Sequence, residues 1–401
     1  MEEIELSFLP RSQNSGDLVR ALLDEFEKQA RVRVKLRSSM WSRSELTRFV
    51  IDKQGPDVSE VGATWVDDYA AMNALRPFSR AETMLIGKPQ EFLAASWQAG
   101  YLPGDEQVWA IPWLAEPYVI HYRKDILRQA GIDELTAFQT HDQIAKTIAL
   151  LQQNGMRMPF GAPIRSTRPG DNPFCIMHSL CSWVWGRGTD FCSPDGRSVW
   201  FTKPEFLAAL HDYFQLFRSV QPEDLPELLK QGHIEAFRQG RVAITFGTMT
   251  VLAPWDEVAA EVRENWGVAA FPRVGLVGGT SLVVWDYSRH SRDAVDLVRF
   301  LTRASSLLSL AKPLSTLPPR LSVMAEAEFQ DDPLWKEAIR AAQNGRASPS
   351  VKLWGLIEEK LLNSLHQIAG AITADPALDL DTAIRRQLEP LTRMLSLTLA
   401  Q

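Results

Sequence analysis

Apolar and polar positions alternate over residues 4–9, which predicts a first strand. Pro10 to Gly16 form a polar loop. Asp17 then precedes a helical pattern, Leu18 to Ala30, with Leu18, Leu22, Leu23, Phe26 and Ala30 on one face. Val32 and Val34 alternate with Arg31, Arg33 and Lys35, a second strand. A loop containing Trp41 leads to a helix over 44–52. Gly55-Pro56-Asp57 opens a short third strand, Val58 to Val61. Gly62-Ala63-Thr64-Trp65 and a helix from Val66 to Asn73 follow. Strands alternating with helices predict a parallel sheet with crossover helices. In such sheets ligands bind beyond the carboxyl ends of the strands. The loops 10–16, 37–43 and 62–66 therefore point at one crevice.

From Val108 to Tyr122 two strand-like pieces are joined through Pro112 and Pro117, and a helix ending at Ala130 is closed by Gly131. The long extended stretch predicts a chain crossing between two lobes. Residues 137–153, 203–219 and 232–239 read as helices, 186–199 as a hairpin, and 241–246 as a strand. The strand-like segment 266–274 predicts a second crossing. Gly278-Gly279-Thr280 precedes a strand over 281–285 and a helix over 292–302. The proline-rich joint 313–320 predicts a third crossing, and the remainder is helical apart from Ser348-Pro349-Ser350. No internal repeat or heptad run interrupts this plan of two α/β lobes.

Composition narrows the function classes. The 401 residues are 45% hydrophobic and 23% charged, a globular balance that excludes disorder as the dominant state. The net charge of −6 is a poor footprint for nucleic acid. No apolar run is long enough for a transmembrane helix. The acidic start carries no secretion signal, which leaves a cytoplasmic protein or one whose signal is absent from this chain. Cys175-x2-His178-x2-Cys181, with Cys192 beyond, has zinc-like spacing. Positions 175, 178, 181 and 182 share a helix face that continues into Trp185, so the set reads as core and no metal is expected.

Several short motifs stand in a telling order: Gly55-Pro56-Asp57-Val58, Gly62-Ala63-Thr64-Trp65, Ala110-Ile111-Pro112-Trp113, Tyr122-Arg123-Lys124-Asp125, Ala130-Gly131-Ile132, and Trp185-Gly186 with Asp195-Gly196, Phe201 and Pro204-Glu205. Gly240-Arg241-Val242-Ala243-Ile244-Thr245-Phe246, Gly278-Gly279 and Leu317-Pro318-Pro319-Arg320 extend the series. In this order they resemble extracellular solute-binding protein family 1, the sugar-type receptors of ABC importers, over about residues 1–395. The resemblance implies an α/β, two-lobe periplasmic-binding-protein type II fold. Each lobe would be a mostly parallel sheet flanked by helices, with a hinge of crossing segments. Lobe one would comprise 1–112 and 270–314, lobe two 113–269 and 315–401, with solute trapped between them by hinge closure. It also implies an extracytoplasmic monomer that delivers its ligand to an ABC permease and needs no cofactor. Pro117-Tyr118 departs from the small or polar residues common in relatives.

The 13 tryptophans against 6 tyrosines fit a saccharide ligand. An indole plane covers the C–H face of a pyranose at about 25 cal/mol per Å² of apolar area buried. Each buried hydroxyl needs a partner or costs about 1–3 kcal/mol. The candidate planes are Trp65, Trp113, Trp185, Trp41 and Trp354. The candidate polar groups are Gln13, Asn14, Glu116 and Arg320, with Gly247 and Thr248 after a second-lobe strand. Gly278 and Gly279 would let backbone approach the ligand. Catalysis finds no support: Asp67 and Asp68, adjacent on a helix, point apart, and no P-loop, G-x-S-x-G or H-E-x-x-H motif occurs. A cytoplasmic sensor built on the same fold and a receptor for a non-sugar solute are the alternatives.

Overall fold

The computed structural model describes residues 2–399 except 13, 40, 41, 103 and 169–171. Ten strands occur in it: β1 (Glu3–Phe8), β2 (Arg33–Ser38), β3 (Val58–Gly62), β4 (Leu75–Arg76), β5 (Ile111–Pro117), β6 (Val119–Arg123), β7 (Phe160–Gly161), β8 (Ile244–Gly247), β9 (Trp266–Ala270) and β10 (Val277–Trp285). Contacts divide the chain into two units. Unit one is Met1–Glu116, Val277–Gln343 and Ser350–Gly355; unit two is Pro117–Leu276, Asn344–Pro349 and Leu356–Gln401. Residues 315–343, expected in the second lobe, lie in unit one. Backbone bridges join Arg320 to Phe92 and Leu317 to Ala115, so this stretch completes unit one.

In unit one the strand order is β2-β1-β3-β10-β4, with β5 also paired to β10. β1 runs parallel to β2 and β3, as the strand–helix alternation predicts. The helix Ser15–Ala30 buries Val19, Leu22, Leu23 and Phe26 and stops at Arg31, which adopts a left-handed φ of 56°. Ser42 caps the helix Arg43–Asp52 by accepting from the Glu45 amide. β10 runs antiparallel to β3. Its Gly279 has φ +124°, and a Cβ there would lie 2.2 Å from the Leu114 carbonyl oxygen. Glycine at 279 is therefore what lets β5 close onto β10. The core beneath this sheet holds Leu46, Phe49, Val61, Trp65, Tyr69, Trp109 and Trp285.

Unit two has the order β7-β8-β6-β9. The expectation of a mostly parallel sheet holds for β2-β1-β3 but not here. β6 is antiparallel to both β8 and β9, and only β7 pairs parallel to β8. Both neighbours of β6 return to it after helical detours and enter from its far end. Trp183 anchors the core, edge-on to Tyr213 at 5.0 Å and to Phe271 at 5.7 Å. Its helix, Cys175–Gly186, is buried almost throughout. The thiols of Cys175 and Cys181 donate to the carbonyls of Phe246 and Met177, so both serve the core. Among the described residues no helix is long and apolar enough to cross a membrane.

Candidate functional site

In unit one the carboxyl ends of β1 and β3 build a charged cluster. Glu60 sits in β3, where every residue is buried. A carboxylate placed there needs donors, and it has three. Its Oε1 accepts from Arg11 Nη2 and from Thr280 Oγ1, each at 2.7 Å. Its Oε2 accepts from the Leu9 amide at 2.7 Å. The Arg11 guanidinium also donates from Nη1 to the Leu9 carbonyl and from Nε to Glu116 Oε1 at 3.1 Å. The Arg11 and Glu60 side chains are 5% and 0% exposed, whereas Glu116 is 14% exposed. One oxygen of Glu116 is held by Arg11; the other has no partner among the described residues.

Trp65 follows β3, as its position after the third strand predicts. Its ring is 4% exposed and belongs to the unit-one core, with the Arg43 guanidinium 5.4 Å from its centroid. Asp67 and Asp68 point to different partners, as adjacent helix positions require. Asp67 accepts from Ser350 Oγ at 2.8 Å, and Asp68 accepts from the Gly355 amide and pairs with Arg43. Burial pushes the Asp67 carboxyl up to about 7.

Unit two brings a separate polar set together. Tyr118 Oη accepts from Asn172 Nδ2 at 3.2 Å and meets His178 Nδ1 at 3.0 Å. His178 Nε2 faces the buried Glu358 at 3.5 Å, and Phe174 stacks on the imidazole. Beyond β8, Thr248 Oγ1 bonds Thr250 Oγ1 at 2.7 Å. The Thr248 carbonyl is held from below by His121. Trp266 Nε1 donates to His121 Nδ1, so the imidazole proton sits on Nε2 and is donated to Thr248 O at 3.1 Å. Burial pushes His121 down to about 4, which keeps it neutral.

The other sequence candidates are distributed as follows. Trp185 donates from Nε1 to Asp190, and the Arg346 guanidinium covers its ring at 4.8 Å. Trp113 is fully buried in β5, and Trp354 is buried at the start of the helix Trp354–Ala374. Arg320 departs from its expected role at the ligand. Its guanidinium donates to the carbonyls of Thr302 and Ile86, pairs with Glu91 and lies over Phe92, so it fastens one part of unit one to another. Asn14 is exposed at the N-cap of the helix Ser15–Ala30 and makes no side-chain cap. Gly278 lies beside the Glu116 carbonyl and Gly247 beside Val251. Gln13 and Trp41 lie outside the described residues. Sequence reasoning missed Arg11, Glu60 and Thr280 in unit one, and His178, Glu358 and His121 in unit two. The signal for Glu60 was available: a lone carboxylate within an otherwise uncharged strand demands a buried partner.

Residues 21–337 match the family described as bacterial extracellular solute-binding protein. The diacetylchitobiose binding protein DasA of Streptomyces coelicolor is 23% identical over 350 residues, covering 84% of this chain and 77% of that protein. Among solved structures, the sugar-binding protein MalE from Xanthomonas citri superposes with a TM-score of 0.77 at 18% identity, covering 99% of this chain and 97% of its own. Maltose-bound MalE3 of T. maritima gives 0.78 at 19% identity, covering 98% and 100%.

Proposed function

Because the chain belongs to the bacterial extracellular solute-binding protein family, we propose that it is the receptor of an ABC importer and that its solute is a saccharide. The family and its relatives are binding proteins rather than enzymes, and the family supports a location outside the cytoplasm. The chain acts as a monomer and delivers the captured saccharide to a membrane permease. The observation that carries this proposal is Glu116. One oxygen is fixed by Arg11, and the second is an acceptor held ready for a hydroxyl donor. Trp65 and Asn14 of unit one would join it, and Gln13 and Trp41 stay candidates on their sequence positions in the segments 10–16 and 37–43. Within unit two the candidate contacts are Thr248, Gly247 and Trp185. Arg320, Trp113, Trp354, Gly278 and Gly279 would act as supports, consistent with their internal contacts or burial.

Thermal unfolding against mono- and oligosaccharides, with amino acids and polyamines as controls, tests the reading. A ligand at 100 times its dissociation constant stabilises the folded chain by about 2.7 kcal/mol. A rise in melting temperature with one saccharide class is the expected result. A rise with a control alone would keep the receptor and replace the sugar. Glu116→Ala should weaken the saccharide that binds by about tenfold or more, the loss of a buried charged acceptor.

A further inference from the structure

The cluster around Glu116 has an unbalanced charge. One guanidinium, Arg11, serves two carboxylates, Glu60 and Glu116, and among the described residues it is the ion-pair partner of both. The set therefore carries one formal negative charge in excess, on side chains 0–14% exposed. Both oxygens of Glu60 are engaged inward, by Arg11, Thr280 and the Leu9 amide. The excess is consequently presented at the other carboxylate, through the unpartnered oxygen of Glu116. Arg11 aims that oxygen. Its guanidinium is planar and reaches Glu60 from Nη2 and Glu116 from Nε, so the two carboxylates are held at fixed positions on one rigid fork. A site of this kind favours solutes that donate hydrogen bonds. It repels solutes that bring their own negative charge, because like charges brought together at a poorly solvated site are costly.

We infer that Arg11 and Glu60 are positioning residues for Glu116, and that the trio makes this receptor select neutral or cationic polyhydroxylated solutes and reject phosphorylated or carboxylated ones. The inference rests on the reading that Glu116 contacts the solute. Neither Arg11 nor Glu60 needs to touch the ligand: the first orients the acceptor, and the second shares the guanidinium that pairs with Glu116.

The test uses the full chain and calorimetry with matched solutes: glucose, glucosamine and glucose 6-phosphate, and the same triplet built on whichever oligosaccharide raises the melting temperature. The wild type should bind the neutral and aminated members and bind the phosphate at least about tenfold more weakly. Glu60→Gln keeps an amide oxygen for Arg11 and removes the excess charge, so the neutral-to-phosphate ratio should shrink severalfold, whatever the neutral affinity itself becomes. Arg11→Lys keeps the charge and loses the fork, so affinity for the neutral member should fall while discrimination against the phosphate persists. A phosphate bound as tightly as its neutral counterpart by the wild type would overturn the inference, and this comparison stands even where a variant fails to fold. A ratio unchanged in a folded Glu60→Gln would overturn it as well. Neutral affinity unchanged in Glu116→Ala would instead remove Glu116 from the site, a different failure from either.

Discussion

At the residue scale Trp65 has two duties that a single substitution confounds. Its ring closes the core with Phe49, Tyr69 and Trp285, and it is the proposed sugar platform. Trp65→Ala should cost about 3–5 kcal/mol of stability, the usual loss for a large buried aromatic, so lost binding in that variant would prove little. Trp65→Phe keeps an apolar ring in the core but shortens the plane. It should fold, and its saccharide affinity should drop by about tenfold in calorimetry; unchanged affinity would remove Trp65 from the site. Arg320 supplies the opposite case. Arg320→Ala strands the buried carbonyls of Thr302 and Ile86 and should lower stability by about 2–4 kcal/mol. Saccharide affinity measured well below the new melting temperature should stay at the wild-type value. A specific loss of affinity would return Arg320 to the ligand, where its sequence position first placed it.

At the element scale, the loop beyond β8 takes its position from a residue of β6. His121 links Trp266 on β9 to the Thr248 carbonyl, so three elements meet through one imidazole. His121→Phe leaves both the Trp266 N–H and the Thr248 carbonyl without their partner. Trp266 fluorescence should change, and saccharide affinity should fall if Thr248 is a contact; a change in fluorescence with full affinity would place the loop away from the ligand. The first three strands and their helices were legible because local pattern dictates them: alternation over 4–9, one apolar face over 18–30, and a Gly-Pro-Asp punctuation before Val58. The antiparallel sheet around β6 was not, because its pairings join Val119–Arg123 to segments more than a hundred residues away. The charged cluster was hidden for the same reason. Arg11 meets Glu60 and Glu116 across 49 and 105 residues, and no spacing rule reaches that far. Indole positions were readable, but whether an indole faces core or ligand depends on packing: Arg346 over Trp185 and Arg43 near Trp65 are tertiary facts.

At the scale of the whole molecule, burial sets a pH response that can be worked out in sign. His121 and His141 are both pushed by burial from 6.5 down to about 4. Between those values the unfolded chain binds a proton at each site that the folded chain refuses. Stability therefore falls as pH drops from 6.5 toward 4. Asp67 acts the other way. Burial lifts it from 3.8 to about 7, so through the same window the folded chain holds a proton that the unfolded chain has released. Among these three groups the two histidines less the one aspartate leave a net of one proton, a slope of about 1.4 kcal/mol per pH unit, and Glu82, held down to about 2 by Arg76, adds to it in the same sense near pH 4.5. Denaturant unfolding at pH 4.5, 5.5 and 6.5 should show stability rising along that series. Asp67→Asn abolishes the opposing titration, so its stability should climb with roughly twice the wild-type slope, whatever its value at any one pH. A mutant slope equal to the wild type would mean that Asp67 titrates normally in the folded chain, and that Ser350 meets an ordinary ionised carboxylate where the chain passes through residues 350–355.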